Sequence, residues 1–298
     1  MSILALDLGA TALKSALFTE DGQVVRQGEC PSRGRFGGEA LLAAAFEVIE
    51  GYEGYRRIAV STTGQVEPET GRIAFANENV PRYTGMRVRE ILEQRYSVPV
   101  RVLNDVNAAA MGEGFYGAAQ GAEDFLCLTY GTGVGGAIVI GGRVYGGSRG
   151  LASEAGHLLT HPDGLPCACG QRGCYEQYAS VTALLRGARR VAPDIEDGRA
   201  LFKRLAGDPA LKAVVDGWLR EVGHGLVSLI HALNPSLVLV GGGVFDQPGL
   251  AAQLEAAVLP RLMESYRQVA IRPAALGNMA GLYGALRAAL ESAPGDPA

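Results

Sequence analysis

The sequence predicts an α/β protein built as two lobes. Three observations carry that expectation. Short apolar runs end in glycine-containing turns and alternate with stretches whose apolar residues recur three and four apart, the two periods of strands and helices. Such strand, turn and helix groups occur in both halves, which permits a duplicated architecture. With 298 residues, 48% of them hydrophobic, the chain has enough apolar side chain for two modest cores.

The first half opens on a hairpin. Ile3 to Leu8 and Ala12 to Phe18 are apolar runs around a Gly-Ala-Thr turn, and a third strand near Gln23 to Glu29 follows the Asp21-Gly22 turn. The first turn presents Asp7, Gly9, Thr11 and Lys14. Glycine lets a phosphate approach the backbone, threonine adds a hydroxyl, and an aspartate holds magnesium directly or through water. The same residues also make a plain surface hairpin, and their spacing alone does not choose.

Glu39 to Glu50 reads as a helix, followed by a strand at Ile58 to Ser61 and a turn at Thr63 and Gly64. An excursion around Gly71 leads to Asn77, Asn79 and Pro81, where the amides suit either a hydroxylated ligand or the turning of a loop. Met86 to Arg95 is an amphipathic helix and Val98 to Leu103 a strand. Asn104 and Asp105 stand where that strand gives way to the small-residue helix AAAMGEG. A carboxylate there lies in the crevice where open α/β folds bind ligands, or it caps the helix.

In the second half, the strand Phe125 to Thr129 runs into YGTGVGGAIV. Gly131, Gly133, Gly135 and Gly136, with Thr132 among them, are expected to form a turn of exposed amides before a strand at Ala137 to Ile140. That turn is either a phosphate nest or a glycine-rich hairpin without ligand. It is not a Walker A loop, since no GK[ST] follows, nor a dinucleotide fingerprint, since a strand comes next.

The segment EAGHLLTHPDGLPCACGQRGCYE, residues 154 to 176, offers His157, Cys167, Cys169 and Cys174, with Glu154 and Glu176 at its ends. Three cysteines this close, flanked by Gly170 and Gly173 that permit the tight turns of a ligand knuckle, favour a zinc ion over buried thiols or redox partners. Four protein ligands leave no place for a catalytic water. The ion is therefore expected to be structural, locking the loop that carries the two carboxylates.

Helices are expected at 179 to 190, 198 to 205 and 211 to 232. In the last, Val215, Leu219, Val222, Leu226, Leu229 and Leu233 form a core stripe, with Trp218 packing beside it. His224 and His231 lack a matching acidic pattern and read as ordinary helix residues, and His161 falls near the metal loop. Ser236 to Val240 is a buried strand running into Gly241, Gly242 and Gly243, an edge for a nucleotide base or ribose, or a tight turn. A helix near 250 to 266, a strand near 269 to 271 and a terminal helix from about Met279 complete the chain.

The net charge of −4 and the lack of a dense Lys or Arg stripe disfavour a nucleic-acid groove. The opening MSILALDLG carries no basic leader, so neither a signal peptide nor a membrane span is expected, and the predicted location is cytoplasmic. Five cysteines, three of them in the metal segment, suit a reducing compartment, and Cys30 and Cys127 read as ordinary thiols.

Taken together, LNDVNAAAMGE at 103 to 113, YGTGVGGAIV at 130 to 139, EAGH at 154 to 157, CACGQRGCYE at 167 to 176 and GGGVF at 241 to 245 closely resemble the ROK family of sugar kinases and sugar-responsive repressors. The resemblance covers essentially the whole chain. It implies the two-lobed actin-like ATPase, or ribonuclease H-like, fold with a central cleft. Residues 1–105 would form the small lobe, completed by a C-terminal helix at 279–298, and 106–278 the large lobe with the zinc loop.

Carried onto matching positions, the resemblance implies that Asp105 is the catalytic base and that Asn104, Glu154, His157 and Glu176 bind sugar hydroxyls, with Gly64 and Asn79 near further sugar contacts. It assigns Asp7, Gly9, Thr11 and Lys14 to the first phosphate region. Gly131, Thr132, Gly133, Gly135 and Gly136 fall to the second, Gly241 to Gly243 to the adenosine side, and the zinc to His157, Cys167, Cys169 and Cys174. The implied activity is ATP-dependent, magnesium-assisted phosphorylation of a hexose, first glucose at its 6-hydroxyl, in a homodimer. N-acetylmannosamine, N-acetylglucosamine or a β-glucoside are the alternative substrates. A non-catalytic sugar-sensing regulator is the alternative class, disfavoured because the chain starts directly on its first phosphate strand, without a helix-turn-helix region. One departure stands out: the family pattern DIGGT reads DLGAT here, putting Ala10 where glycine is common.

Overall fold

Alternation along the first strand sets the layers of the first half. In the computed structural model, which describes residues 2–291, β1 (Ser2–Leu8) pairs antiparallel with β2 (Ala12–Thr19), and β2 with β3 (Val24–Pro31). Leu4, Leu6 and Leu8 point to one face and pack on Leu41, Ala45 and Ile49 of α1 (Gly38–Glu50). Ile3 and Ala5 point to the other. A period of two therefore puts Asp7 on the Ile3 and Ala5 face.

Parallel strands extend this sheet. β4 (Tyr55–Thr62) lies along β1, the small β5 (Gln65–Val66) and β6 (Ile73–Phe75) pair forms the excursion, and after α2 (Val88–Tyr96) the strand β7 (Val100–Asn104) closes the order β3-β2-β1-β4-β7. α3 (Asp105–Tyr116) follows without a loop.

The closing helix, Ala280–Glu291, covers the Ile3 and Ala5 face through Leu282 and Leu286. It crosses α3 at a point where only glycine fits. A Cβ on Gly284 would stand 1.6 Å from the carbonyl oxygen of Ala108, and one on Gly112 2.4 Å from that of Ala280. This contact explains the division of the chain. The first compact unit runs to Gln120 and takes in 143–152 and the closing helix, so α3 belongs with it rather than beginning the second unit after residue 105. The expected stretch 292–298 lies outside the described residues.

The second unit spans Gly121–Gly142 and Ser153–Gly277. β8 (Phe125–Tyr130) pairs antiparallel with β9 (Val134–Ile140), while the short β10 (Arg143–Val144) falls in the stretch grouped with the first unit. Helices α4 (Glu176–Ala179), α5 (Val181–Val191), α6 (Gly198–Arg204) and α7 (Pro209–Leu233) precede β11 (Leu237–Gly241). α8 (Leu250–Val258), β12 (Ala270–Pro273) and the closing helix, α9, end the order. β11 runs parallel to both β8 and β12. An antiparallel hairpin followed by parallel crossovers thus occurs in both units, as the duplicated strand and helix groups suggest.

Two expected elements change at their ends. The helix expected from 179 to 190 is broken at Ser180, whose backbone is extended and whose hydroxyl caps α5 by accepting from the Ala183 amide. The helix expected to Tyr266 stops as α-helix at Val258 and continues in short 3-10 turns, the first of which contains Pro260. Of the stripe expected on α7, Val215, Leu219, Val222 and Leu226 are in the core, while Leu229 and Leu233 are partly buried against it. Trp218 is buried, its indole N–H donating to the carbonyls of Ala179 and Ser180 at 2.8 and 3.1 Å.

Candidate active site

In the first unit, polar residues gather at the ends of β1, β4 and β7. Asn104, the last residue of β7, is the N-cap of α3: its Oδ1 accepts from the amides of Val106 and Asn107 at 2.9 and 3.1 Å. Asn104 is thus the N-cap, and Asp105 Oδ1 shares the Val106 amide with it at 2.9 Å. Asn104 Nδ2 donates to the Gly64 carbonyl at 3.0 Å and to Asp105 Oδ1 at 2.9 Å, which joins three of the expected sugar-side residues. Gly64 has φ +92°, and a Cβ there would meet the Phe75 carbonyl at 2.8 Å. Asn79 stands exposed in the turn after β6, its backbone N–H held by Asn77 Oδ1.

Asp105 keeps a partly exposed flank, yet the packing around its carboxyl pushes its pKa up to about 7. Loss of hydration is the largest cause, and the nearby charge of Asp7 adds to it. Hydrogen bonds from the Val106 amide and Asn104 pull the other way.

Asp7 accepts from Ser61 Oγ at 2.7 Å and lies 3.8 Å from Lys14 Nζ, which also reaches Asn278 Oδ1 at 3.3 Å. Burial raises the Asp7 pKa, and Ser61 and Lys14 offset part of the rise. Behind it sits Gly281, where a Cβ would be 2.9 Å from Ser61 Oγ and 3.2 Å from Asp7 Oδ1. Ser61, Asn278 and Gly281 carry no local sequence signal, because each meets this site across a long chain separation.

Gly9 and Thr11 form the β1-β2 turn, where the Gly9 amide donates to Ala12 O and Thr11 O accepts from Ser32 N. Ala10 does not adopt the positive φ that would demand glycine, and its methyl packs on the apolar core of its unit. The DLGAT departure is therefore absorbed by the core.

In the second unit the glycine turn is shorter than expected. Only Gly131, Thr132 and Gly133 turn, while Gly135 and Gly136 lie inside β9 opposite Thr129 and Leu128. Their backbone groups serve the ladder, and the missing Cβ of Gly136 lets the strand press against Ala155. The turn itself rests on the start of α5: Val181 N donates to Gly131 O at 2.9 Å and Thr182 Oγ1 to Thr132 O at 2.8 Å. A Cβ on Gly133 would meet Glu176 Oε2 at 2.6 Å, so the turn touches the carboxylate that follows the cysteine segment. At the end of β11, Gly242 has φ +93° and leaves no room for a side chain against Tyr130 O, while Gly243 is exposed beside it.

His157, Cys167, Cys169 and Cys174 converge, one donor atom from each lying within 4.8 Å of all the others. Cys167 Sγ is 3.7 Å from His157 Nδ1, and Cys169 Sγ is 3.5 Å from Cys174 Sγ. Ligands at zinc–sulfur distance around a tetrahedral ion lie about 3.8 Å apart, so the donor set and its spacing fit zinc. Gly170 and Gly173, at φ +90° and +80°, make the knuckle turns. Burial and the adjacent sulfurs push the Cys174 thiol up to about 12, a cost that a dication holding thiolates would reverse.

Two anchors hold this segment. Tyr175 is buried and donates to Val222 O of α7 at 2.6 Å while accepting from the Tyr130 hydroxyl at 2.9 Å. Glu176 Oε1 lies 3.1 Å from Cys167 Sγ and 3.9 Å from His157 Nδ1. His157 thus turns Nδ1 toward the sulfurs and leaves Nε2 for another partner. Glu154 is exposed one turn before it.

Similarity to known proteins extends over nearly the whole chain. The sequence pattern described as the ROK family matches residues 3–292. A glucokinase of Streptomyces coelicolor is 33% identical, with 98% of each chain covered. A beta-glucoside kinase of Klebsiella pneumoniae is 31% identical over 96% of this chain and 95% of its own. Among solved structures, a ROK family glucokinase from Streptomyces griseus in complex with glucose and AMPPNP superimposes with a TM-score of 0.88 at 31% identity, covering 98% of this chain and all of that one. The expected two-lobed actin-like ATPase architecture is therefore the fold of this chain. Among the described residues no helix is long and apolar enough to cross a membrane.

Proposed function

The chain belongs to the ROK family, and from that membership we propose that this ATP-dependent sugar kinase phosphorylates glucose at its 6-hydroxyl. The observation that carries the reading is Asp105, a carboxylate oriented by Asn104 and the Val106 amide and raised in pKa to about 7. Phosphoryl transfer needs a positioned acceptor for the hydroxyl proton rather than a strong base, and a pKa near working pH suits that task.

In this reading Asp105 accepts the proton from the 6-hydroxyl as the oxygen attacks the terminal phosphate of ATP and the bond from that phosphorus to the bridging oxygen breaks, releasing ADP. Asn104 fixes the carboxyl's rotation. Gly64 and Asn79 supply further contacts, and Glu154, His157 and Glu176 accept or donate hydrogen bonds to neighbouring ring hydroxyls. The amides of Thr11, Thr132 and Gly133 suit phosphate oxygens, Gly9 and Gly131 shape the two turns through their own backbone hydrogen bonds, and Gly241 to Gly243 suit the adenosine. Gly135 and Gly136 act behind them by spacing β9 against Ala155. Asp7, with Lys14 beside it, is the group to hold the magnesium that accompanies the nucleotide and neutralises phosphate charge. Zinc held by His157, Cys167, Cys169 and Cys174 would supply cross-linking, not chemistry, because four protein ligands fill it.

Three further elements belong to the reading. A cytoplasmic setting goes with the cysteine usage, since a reducing compartment keeps Cys167, Cys169 and Cys174 as the thiols the proposed zinc site needs. The proposed assembly is a homodimer, and light scattering of the purified chain tests it. The likeness to a beta-glucoside kinase at 31% identity favours β-glucosides as the second substrate class.

An ATP-consumption screen tests the proposal against glucose, mannose, N-acetylglucosamine, N-acetylmannosamine and β-glucosides, with NMR of the product to locate the phosphate. Glucose is expected to give the highest kcat/KM and a 6-phosphate. Preference for a β-glucoside moves the reading to the second class, and ATP consumption that ignores every sugar rejects it.

A further inference from the structure

Outside these residues a second group of metal-ligating side chains converges. His161 Nε2 lies 3.4 Å from Glu221 Oε2, and His224 Nδ1 lies 3.1 Å from the same oxygen. The three donor atoms all fall within 4.8 Å of one another. His224, expected to be an ordinary helix residue, has its acidic partner three positions earlier on α7, a spacing that stacks both side chains on one helix face. From these residues we propose a second divalent-cation site, distinct from the cysteine knuckle, in which His161, Glu221 and His224 bind Zn²⁺ and leave one position open to water.

The geometry suits the ion. Nitrogen and oxygen ligands at zinc-bond length around a tetrahedral centre stand about 3.4 Å apart, against 3.4 and 3.1 Å from the two imidazoles to the Glu221 oxygen here. His161 is held for this role on both sides. Its ring stacks on Tyr178 with centroids 3.9 Å apart, and its Nδ1 is 3.1 Å from Thr160 Oγ1. With Nδ1–H donated to that hydroxyl, the Nε2 lone pair faces the Glu221 carboxylate, an arrangement that a cation between them stabilises. All three side chains are partly exposed, so the ion has a path from solvent.

The site would tie the loop between His157 and Cys167 to α7. The amides of Thr160 and His161 both donate to Gly173 O at 3.1 Å, next to Cys174, and a Cβ on Gly173 would collide with His161 O. On the helix side, Val222 O, adjacent to Glu221, takes the Tyr175 hydroxyl. A cation at His161 would thus brace the loop that the knuckle closes.

The test is Zn²⁺ and Co²⁺ titration of the full chain after metal removal, by calorimetry and absorption. The wild type is expected to bind two equivalents, one with the intense sulfur-to-cobalt charge-transfer bands of the knuckle and one with only weak ligand-field bands. His224→Ala and, as an isosteric check, Glu221→Gln should each bind one equivalent with the charge-transfer bands unchanged. Hydrogen exchange of residues 158–166 should slow on the second equivalent in the wild type alone. A wild type that binds a single equivalent overturns the proposal, as do variants that still bind two.

Discussion

Asn104 holds Asp105 by a 2.9 Å hydrogen bond from Nδ2 to Oδ1, while its own Oδ1 caps α3 through the amides of Val106 and Asn107. One side chain thus ends the strand, starts the helix and fixes the carboxylate. The arrangement costs the carboxylate hydration, and the charge of Asp7 adds to the rise in its pKa.

The raised pKa sets a pH dependence. Proton acceptance requires the ionised form, and Asp105 is protonated below about 7. The value of kcat/KM for glucose should therefore rise through that range and level above it, as a pH series at saturating ATP would show. A profile flat from weakly acid to weakly alkaline pH would mean that another group accepts the proton.

Gly281 lies against Ser61 and Asp7, so Gly281→Ala should push on the group assigned to magnesium. We expect the KM for ATP to rise about tenfold, equivalent to about 1.4 kcal/mol, with the affinity for glucose little changed. Steady-state kinetics with each substrate varied separately would reveal an equal loss for both if the effect were only on folding.

Cys169 is the exposed member of the knuckle and touches Cys174 at 3.5 Å. Cys169→Ser should abolish the zinc binding proposed for this segment and weaken glucose binding together, because the same segment carries Glu154, His157 and Glu176. Metal analysis beside glucose titration checks both, and intact sugar affinity in a metal-free variant would separate the loop from recognition.

Gly284 meets the Ala108 carbonyl too closely for any Cβ. Gly284→Ala should destabilise the first unit by about 3 kcal/mol through overpacking at the α3–α9 crossing. Denaturant unfolding would measure the shift in midpoint.

Much of this site was legible because its signals are local. The alternation of β1, the strand-to-helix change at Asn104 and the cysteine spacing each fit within a few residues and survive in the structure. What escaped is set by distance along the chain. Ser61 reaches Asp7 from β4, and Gly281 reaches it from the far end of the sequence. The glycines at 135 and 136 looked like part of a nest, but their role is close approach of a strand to Ala155, which periodicity does not report. The grouping of His224 with Glu221 is not legible as a ligand set in the sequence, because the third member, His161, comes from a loop rather than from the helix.

The most direct measurement compares Asp105→Asn with the wild type in glucose binding by calorimetry and in single-turnover phosphorylation. The account predicts nearly unchanged glucose affinity and a loss of about 100-fold or more in the transfer rate. Transfer at close to the wild-type rate would contradict it.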